Sequence, residues 1–387
     1  MKNIFLTLFV SFFLIEGYAQ AQNKIDSLEN VLKNDLPDST RLKVLLELSK
    51  LNQYVDFARS RQYTEESLLL AEKLDDPVLR VLAYQSKAAM LTSSGDYSAA
   101  IKYDNMSLEN DIILKDSTLI ARDYNNIGND YYDLGEYDDA FFYFTQSHRI
   151  ATAVKDTFRM LVAYHNVGRV FKELGQYEVA LDHLNLAKKM SEQQNDAEGI
   201  PYAYDEIGDV QLRRQEYDSA LRTLSRALAL SRRLNVNLLE PKIHSKIATA
   251  YLGKGDFDKA RAHYDSAYAA NNLTNDRFGV AEVELGRGIV YTKEGKYNEA
   301  LTKIENSLSV AKELNARVLE IKCLNQLSTL WEMKGDFMSG SFINYAIWDK
   351  RKHEFVIIEG FCYAPSTDKR DLMHELKSII KSMKVLN

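Results

Sequence analysis

The sequence predicts a mainly α-helical fold, an α-solenoid of stacked antiparallel helix pairs followed by a short C-terminal β-hairpin and a helix. Three observations lead to the solenoid. The Gly, Tyr, Ala and aromatic or Leu residues of NDYYDLGEYDDAFFYF return, at the same spacing and forty residues later, in GRVFKELGQYEVALDHL. The 387-residue chain exceeds one ordinary domain and is 45% apolar, so it can bury a large core. Its 5 prolines and 17 glycines are few for this length, which favours helices.

The period of forty residues runs through most of the chain. Counted from Ala121, position 17 of every unit from Phe57 to Phe337 is Tyr or Phe. Position 20 is always small, and position 8 is small in every unit except the first, which has Leu48. The packing positions assigned on this basis are Tyr97, Ala100, Gly128, Tyr131, Tyr137, Ala140, Gly168, Tyr177, Ala180, Gly208, Tyr217, Ala220, Phe257, Ala260, Gly288, Tyr297, Ala300 and Phe337. A fixed period of this length is typical of a solenoid.

Each unit contains two helical patterns separated by a break. Apolar or small residues recur at helical spacing after Tyr124, the pattern stops at Gly135, and a second one runs from Tyr137 to Ser147. We therefore expect an antiparallel helix pair that buries its faces by stacking on its neighbours. Position 36 is often aspartate, which predicts a turn or an N-cap. These aspartates are Asp76, Asp116, Asp156, Asp196 and Asp276.

This signature resembles the tetratricopeptide repeat family over residues 41–340, which would form seven full units and a truncated eighth. The usual unit of that family is about six residues shorter, so the resemblance implies longer helices. The preceding stretch, NKIDSLENVLKNDLPDSTRLKVLLELS, resembles the start of periplasmic input regions of bacterial sensor kinases and transcription regulators. We expect residues 22–40 to form an N-terminal capping helix.

The resemblance also implies where a peptide would bind. In the family, positions 2, 5, 9 and 12 of the first helix line the concave face, and Asn and basic residues there clamp a peptide's C-terminal carboxylate. The corresponding candidates in the third and fourth units are Asn125, Asn129, Tyr132, His165, Arg169 and Lys172. Asp205 and Asp209 in the fifth unit would confine an acidic partner to those two units. The alternative is a solvated polar face with no specific ligand.

Composition and motifs argue against other functions. The net charge of −6, without a basic tract, disfavours a nucleic-acid partner. None of the 7 histidines lies in an H-E-x-x-H or C-x-x-C context, and no G-x-S-x-G occurs. We therefore expect no metal, no cofactor, no catalytic residues and no enzymatic activity. Of the two cysteines, Cys323 and Cys362, we favour free thiols, although pairing stays open if the chain end folds back.

The first 21 residues are read as a signal peptide rather than as part of the fold. Lys2 is followed by a twelve-residue apolar run from Ile4 to Ile15, and then by small residues at Ala19 and Ala21. Cleavage after Ala21 would deliver the protein to the periplasm or the extracellular space; the alternative is an uncleaved anchor. No later segment is apolar enough over about 18 residues to cross a membrane.

The last residues, 341–387, break the repeat and predict a strand–strand–helix tail. The stretches LWEMKGDFMSG, VIIEGFCYAP and KRDLMHELKSIIKS resemble the end of an uncharacterised family of bacterial envelope lipoproteins. The tail is either a cap on the last repeat or the remnant of a fusion. For the whole chain we expect an extracytoplasmic scaffold that binds a protein or peptide. The alternative is a ligand-sensing input module whose output domain lies on another chain.

Overall fold

The computed structural model describes residues 22–53, 56–274, 276–314 and 316–334, and the backbone of two strands at 341–349 and 354–362. The predicted signal peptide, Phe337 and the helix predicted after Asp368 lie outside these residues. The described residues form two compact units. One contains those up to Arg214 together with Ala229–Val236, and the other contains Gln215–Leu228 and those from Asn237 onward.

Helices succeed one another with the forty-residue period in the first unit. It begins with a helix at residues 22–32 (α1). The first helices of its repeats are α2 (Asp38–Asn52), α4 (Pro77–Ser93), α6 (Ser117–Asp133), α8 (Thr157–Glu173) and α10 (Gly199–Arg213). The second helices are α3 (Phe57–Lys73), α5 (Tyr97–Leu114), α7 (Tyr137–Ala153) and α9 (Tyr177–Gln194). Each of these second helices starts at the aromatic residue of position 17.

The same order of elements continues in the rest of the chain. α11 (Tyr217–Leu234) contributes residues 217–228 to the second unit and its last turns to the first. A 3₁₀ turn at Asn237–Leu239 then leads to α12 (Glu240–Gly253), α13 (Phe257–Leu273), α14 (Arg277–Lys293), α15 (Tyr297–Glu313) and α16 (Arg317–Lys334). None of the described helices combines the length and the apolarity required to cross a membrane.

Two strands follow the last helix of the second unit. β1 (Ser341–Asp349) pairs antiparallel with β2 (Glu354–Cys362), so that Ser341 lies opposite Cys362 and Asp349 opposite Glu354. The strand–strand–helix tail as a whole stays a prediction, because its helix is outside the described residues.

Small residues let the two helices of a repeat approach closely. A Cβ atom added to Gly128 would lie 2.7 Å from ring atoms of Phe144, and one added to Gly168 would lie 2.7 Å from Cγ of Leu184. The position-20 alanines Ala100, Ala140, Ala180, Ala220, Ala260 and Ala300 are completely buried. Ser147 Oγ donates to the backbone oxygen of Ala121 at 2.7 Å, near the other end of the same helix pair. The helices are therefore antiparallel, and the core lies between them.

The turns repeat as regularly as the helices. Within a repeat, a glycine with positive φ ends the first helix, as at Gly135 (φ 80°) and Gly175 (φ 74°), and Gln215 (φ 61°) takes this place in the fifth repeat. Between repeats, non-glycine residues such as Lys115 (φ 56°) adopt the same left-handed conformation. The predicted capping by aspartate is confirmed at the starts of four first helices. The capping residues are Asp76, Asp116, Asp156 and Asp276.

Candidate peptide-binding face

The predicted binding residues lie in the first unit, where first helices of neighbouring repeats contact one another through polar side chains. Residues 125, 129 and 132 are spaced i, i+4, i+7, as are 165, 169 and 172, so each set follows one side of its helix. The contacts continue onto α10. We call this surface the polar face; it comprises Asn125, Asn129 and Tyr132 of α6, His165, Asn166, Arg169 and Lys172 of α8, and Glu206 and Asp209 of α10.

Arg169 occupies the middle of the polar face. Its Nη1 donates to Oδ1 of Asn129 at 3.3 Å and to Oδ1 of Asn166 at 3.1 Å. Its Cζ lies 4.1 Å from the centroid of the Tyr132 ring, close enough for a cation–π interaction. Among the described residues, Nε and Nη2 make no hydrogen bond. The guanidinium is thus fixed on one side and offers a free pair of donors on the other.

Besides Glu206, Asn166 is a member of this face that the sequence did not predict. It is buried, its Nδ2 donates to Oδ1 of Asn125 at 2.8 Å, and its own Oδ1 accepts from Arg169. The position rule transferred from the family selects His165, one residue earlier. The available signal was the spacing of three residues between Asn166 and Arg169, which places both on one helical side.

Lys172 is buried and already paired. Its Nζ lies 2.6 Å from Glu206 Oε2 and 2.7 Å from Asp209 Oδ2, and 3.6 Å from Glu173 Oε1. Burial alone would lower the pKa of this ammonium group, but Glu206 and Asp209 raise it well above its ordinary value. Lys172 therefore stays charged and joins α8 to α10. Carboxylates of the protein itself compensate its charge.

Tyr132 extends the network through its hydroxyl group. Its Oη donates to Glu173 Oε1 at 3.1 Å, and Arg213 Nη2 donates to the same oxygen at 2.8 Å. Burial raises the pKa of Tyr132, so the phenol keeps its proton and remains a donor. The ring of Tyr132 thus contacts the guanidinium of Arg169, while its hydroxyl group is fixed by the hydrogen bond to Glu173 of α8.

His165 lies beside the network as a neutral group. Its Nδ1 is 3.5 Å from Asn166 Oδ1, and its Nε2 is buried without a hydrogen-bond partner in the described part of the chain. Burial lowers the pKa of His165 to about 4. The structure therefore brings four of the predicted residues together in one network that includes Asn166: Asn125, Asn129, Tyr132 and Arg169. His165 lies at the border of this network and is polar but uncharged.

The cations next to α10 are already paired. Lys172 forms ion pairs with Glu173, Glu206 and Asp209, and Arg213 forms one with Glu173. Arg169 has no carboxylate within ion-pair distance among the described residues and is surrounded by amides and a ring. The α6–α8 side can therefore accept an anion, whereas the cations next to α10 are already held by carboxylates of the protein.

In the described ranges, no group of three or more His, Cys, Asp or Glu side chains is arranged to hold a metal ion. Cys323 is a buried free thiol whose Sγ lies 3.2 Å from Ser307 Oγ.

Comparisons with known proteins agree with the repeat pattern. Residues 119–193 and 200–272 match the family model described as tetratricopeptide repeat. The resemblance predicted from the packing positions is thereby confirmed. Residues 289–382 match a second family, described as a domain of unknown function (DUF4837), which is consistent with the resemblance of the tail. This match begins at residue 289, so it also includes α15 and α16, most of which precede the stretches that carry the resemblance.

Solved structures show the same fold at low sequence identity. The Rap conjugation gene regulator of plasmid pLS20, in complex with the Phr* peptide, has a TM-score of 0.59 and 14% identity, over 83% of this chain and 92% of its own. A Rap protein complexed with Competence and Sporulation Factor has a TM-score of 0.58 and 16% identity, over 86% and 98%. NprR in complex with its cognate peptide NprX has a TM-score of 0.52 and 15% identity, over 80% and 84%. No curated protein matches this chain.

Proposed function

We propose that the tetratricopeptide repeats of the first unit form a scaffold that binds a peptide or protein segment through a carboxylate at Arg169. The observation that carries this proposal is the free edge of the guanidinium. Nη1 is held by Asn129 and Asn166 and the plane rests on Tyr132, so Nε and Nη2 remain available. Two parallel N–H donors match the two oxygens of a carboxylate, and such charge-assisted pairs are among the stronger hydrogen bonds in proteins.

Two further features support a peptide as the partner. The amides of Asn125 and Asn129 lie on the same side of α6 and can exchange hydrogen bonds with an extended backbone. Two structures of the same fold, the pLS20 regulator and NprR, contain bound peptides. Since identity is low, these structures support the class of partner and leave its sequence open.

The ion pairs next to α10 restrict the partner further. Lys172 and Arg213 already pair with carboxylates of the protein, so a second anionic group would have to compete with these carboxylates for them. We therefore expect one carboxylate at Arg169 and no second one towards α10. A C-terminal carboxylate and an Asp or Glu side chain share this chemistry, and peptides with free or amidated C-termini distinguish the two sources.

The test is selection of random peptides, with free and with amidated C-termini, on the purified chain, followed by affinity measurement on the enriched sequences. Arg169→Gln should weaken binding about ten- to a hundredfold, as expected for losing a charged hydrogen-bonding partner worth about 1.5–3 kcal/mol. Arg149→Gln, on the exposed side of α7, is the matched control and should bind like the wild type. Equal affinities of Arg169→Gln and the wild type, with unchanged helical content, would place the site elsewhere.

Export from the cytoplasm belongs to the same proposal. The apolar run from Ile4 to Ile15 and the small residues Ala19 and Ala21 support a cleaved signal peptide. N-terminal mass spectrometry of the protein from cell envelope and culture medium should find Gln22 as the first residue. An intact Met1 in the membrane fraction would contradict this.

A second candidate function is a sensory input. A signal transduction ATPase with a tetratricopeptide repeat sensor, from Pyrococcus horikoshii, shares the fold with a TM-score of 0.51 and 16% identity. The match covers 84% of this chain and 49% of that chain, which leaves room in the relative for other domains. Cross-linking in cells, with and without an enriched peptide, separates the two functions. A sensor should exchange its protein partner when the peptide is added, whereas a scaffold should keep it.

A further inference from the structure

Four aspartates are buried between α5 and α6 of the first unit. Asp104 and Asp111 lie seven residues apart on α5, and Asp123 and Asp130 lie seven residues apart on α6. Their exposed fractions are 3%, 0%, 0% and 2% in that order. Side-chain hydrogen bonds join Asp104 to Asp130 and Asp111 to Asp123, an order that requires the two helices to run antiparallel. A buried carboxylate is costly unless donors or cations compensate its charge.

The two helices differ in the donors that their carboxyl groups receive. On α6, Asp130 accepts from Thr92 Oγ1 at 2.8 Å, and Asp123 accepts from Ser107 Oγ at 2.9 Å and from Gln85 Nε2 at 3.2 Å. On α5, no N–H or hydroxyl group of the described residues donates to Asp104 or Asp111. Both carboxyl oxygens of Asp111 are fully enclosed without such a donor.

A hydrogen bond between two carboxyl groups requires that one of them carry a proton. The donors directed at Asp123 and Asp130 favour the ionised form on α6. The protons therefore belong on Asp104 and Asp111 of α5, whose own hydroxyl groups then supply the missing donors to their partners.

The surrounding charges cannot replace these protons. Arg122 is the one cation in contact with the cluster within the described residues, with Nη2 3.6 Å from Asp111 Oδ2 and Nε 3.6 Å from Asp123 Oδ1. The negative charge of Asp133 raises the pKa of Asp130, and that of Asp116 raises the pKa of Asp111. The side chains that α4 directs at the cluster, Gln85 and Thr92, are uncharged. Lys87 of α4 is paired with Glu65 and is not in contact with the cluster. The phenol of Tyr97, next to Asp130, is neutral. Full ionisation would place four carboxylates against one guanidinium.

We propose that α5 and α6 are joined by two shared protons, one between Asp104 and Asp130 and one between Asp111 and Asp123, and that losing them loosens α6 together with Asn125, Asn129 and Tyr132. The sharing of protons between α5 and α6 does not depend on any ligand. Only the consequence for the polar face rests on the proposed function.

The direction of the pH dependence follows from the shared protons. Burial, followed by the proximity of Asp130, raises the pKa of Asp104 to about 9, and burial, followed by the hydrogen bond to Asp123, raises the pKa of Asp111 to about 7. Between the ordinary pKa of an aspartate, about 4, and these values, the folded state binds more protons than the unfolded state. Stability therefore falls as pH rises through this window.

The test compares the wild type with the double variant Asp104→Asn/Asp111→Asn, in which amides donate the same hydrogen bonds but do not titrate. As pH rises from 7 to 9, the release of the Asp104 proton on unfolding should by itself raise the unfolding equilibrium constant of the wild type about tenfold per pH unit. The double variant should lack this component. Asp139→Asn, on the exposed first turn of α7, is the matched control and should keep the wild-type pH profile. Parallel profiles of the wild type and the double variant would overturn the proposal.

Infrared spectroscopy of the wild type needs no variant to fold. It should show a protonated carboxyl absorption at pH 7 that disappears above pH 9; its absence at pH 7 would also overturn the proposal. Amide exchange in α6, corrected for the intrinsic effect of pH, should be faster at pH 9.5 than at pH 7, and unchanged protection would exclude loosening. Since none of these measurements uses a peptide, failure of the peptide-binding proposal would leave their outcome intact.

Discussion

The guanidinium of Arg169 rests on the ring of Tyr132, with Cζ 4.1 Å from the ring centroid, and this contact links α8 to α6 across neighbouring repeats. The ring and the hydroxyl group of Tyr132 have separate partners, since Oη donates to Glu173. The two contributions can therefore be separated by substitution.

Tyr132→Leu should weaken binding of a carboxylate-bearing peptide more than Tyr132→Phe. The Phe variant keeps the aromatic face under Arg169 and loses only the hydrogen bond to Glu173. The Leu variant loses the cation–π contact, worth about 1 kcal/mol, which corresponds to about fivefold in affinity. Isothermal titration calorimetry with an enriched peptide measures both. Equal affinities of the two variants would show that the ring does not position the guanidinium.

Lys172→Met should be among the more destabilising substitutions in the first unit. It leaves Glu206 and Asp209 facing each other without their buried cation, and breaking a buried pair costs about 3–5 kcal/mol. The same change at Lys254, whose side chain is 39% exposed in its pair with Asp218, should cost less than about 1 kcal/mol. Urea denaturation followed by circular dichroism gives both values. A similar loss in the two variants would mean that burial of Lys172 has no energetic consequence.

Gly128→Ala should destabilise the third repeat by about 1–3 kcal/mol, because the added Cβ would lie 2.7 Å from two ring atoms of Phe144. Phe144→Ala alone should also destabilise, by leaving a cavity. In the double variant the new methyl group no longer meets the ring, so the combined loss should be smaller than the sum. A double-mutant cycle measures this coupling, and strict additivity would contradict the close contact.

Acidification should destabilise the first unit through His165. Because burial lowers its pKa to about 4, the folded state binds fewer protons than the unfolded state between about pH 4 and 6.5. Stability from this group is complete above pH 6.5 and is lost as pH falls towards 4. His165→Gln should flatten the acid limb of a urea-midpoint profile between pH 6.5 and 4.5. An unchanged acid limb would show that His165 titrates normally.

The repeat architecture was predictable because packing imposes it on residue types. Tyr137 begins a helix, Gly128 must be small against Phe144, and Asp116 caps α6, so each leaves a periodic trace. The polar face was only partly predictable. Asn166 and the paired carboxyl groups meet partners that lie on other helices, and nothing in the period fixes which polar residues occupy those positions. Gln215 likewise adopts a positive φ where other repeats have glycine, and a glutamine at this position does not predict that conformation.

Removal of residues 341–387 tests whether the tail caps the array. α16 buries Leu319, Cys323 and Leu330 against its neighbours, while Trp331 and Met333 near its end remain exposed. β1 follows this helix and lies next to it. An uncapped terminal repeat exposes an apolar side, so the truncated chain should melt at a lower temperature and associate. Calorimetry and light scattering measure both effects, and a chain ending at Tyr363 is the control that keeps both strands. If the full truncation melts like the wild type and stays monomeric, the tail is not a cap; if only the longer chain does so, the strands suffice for capping.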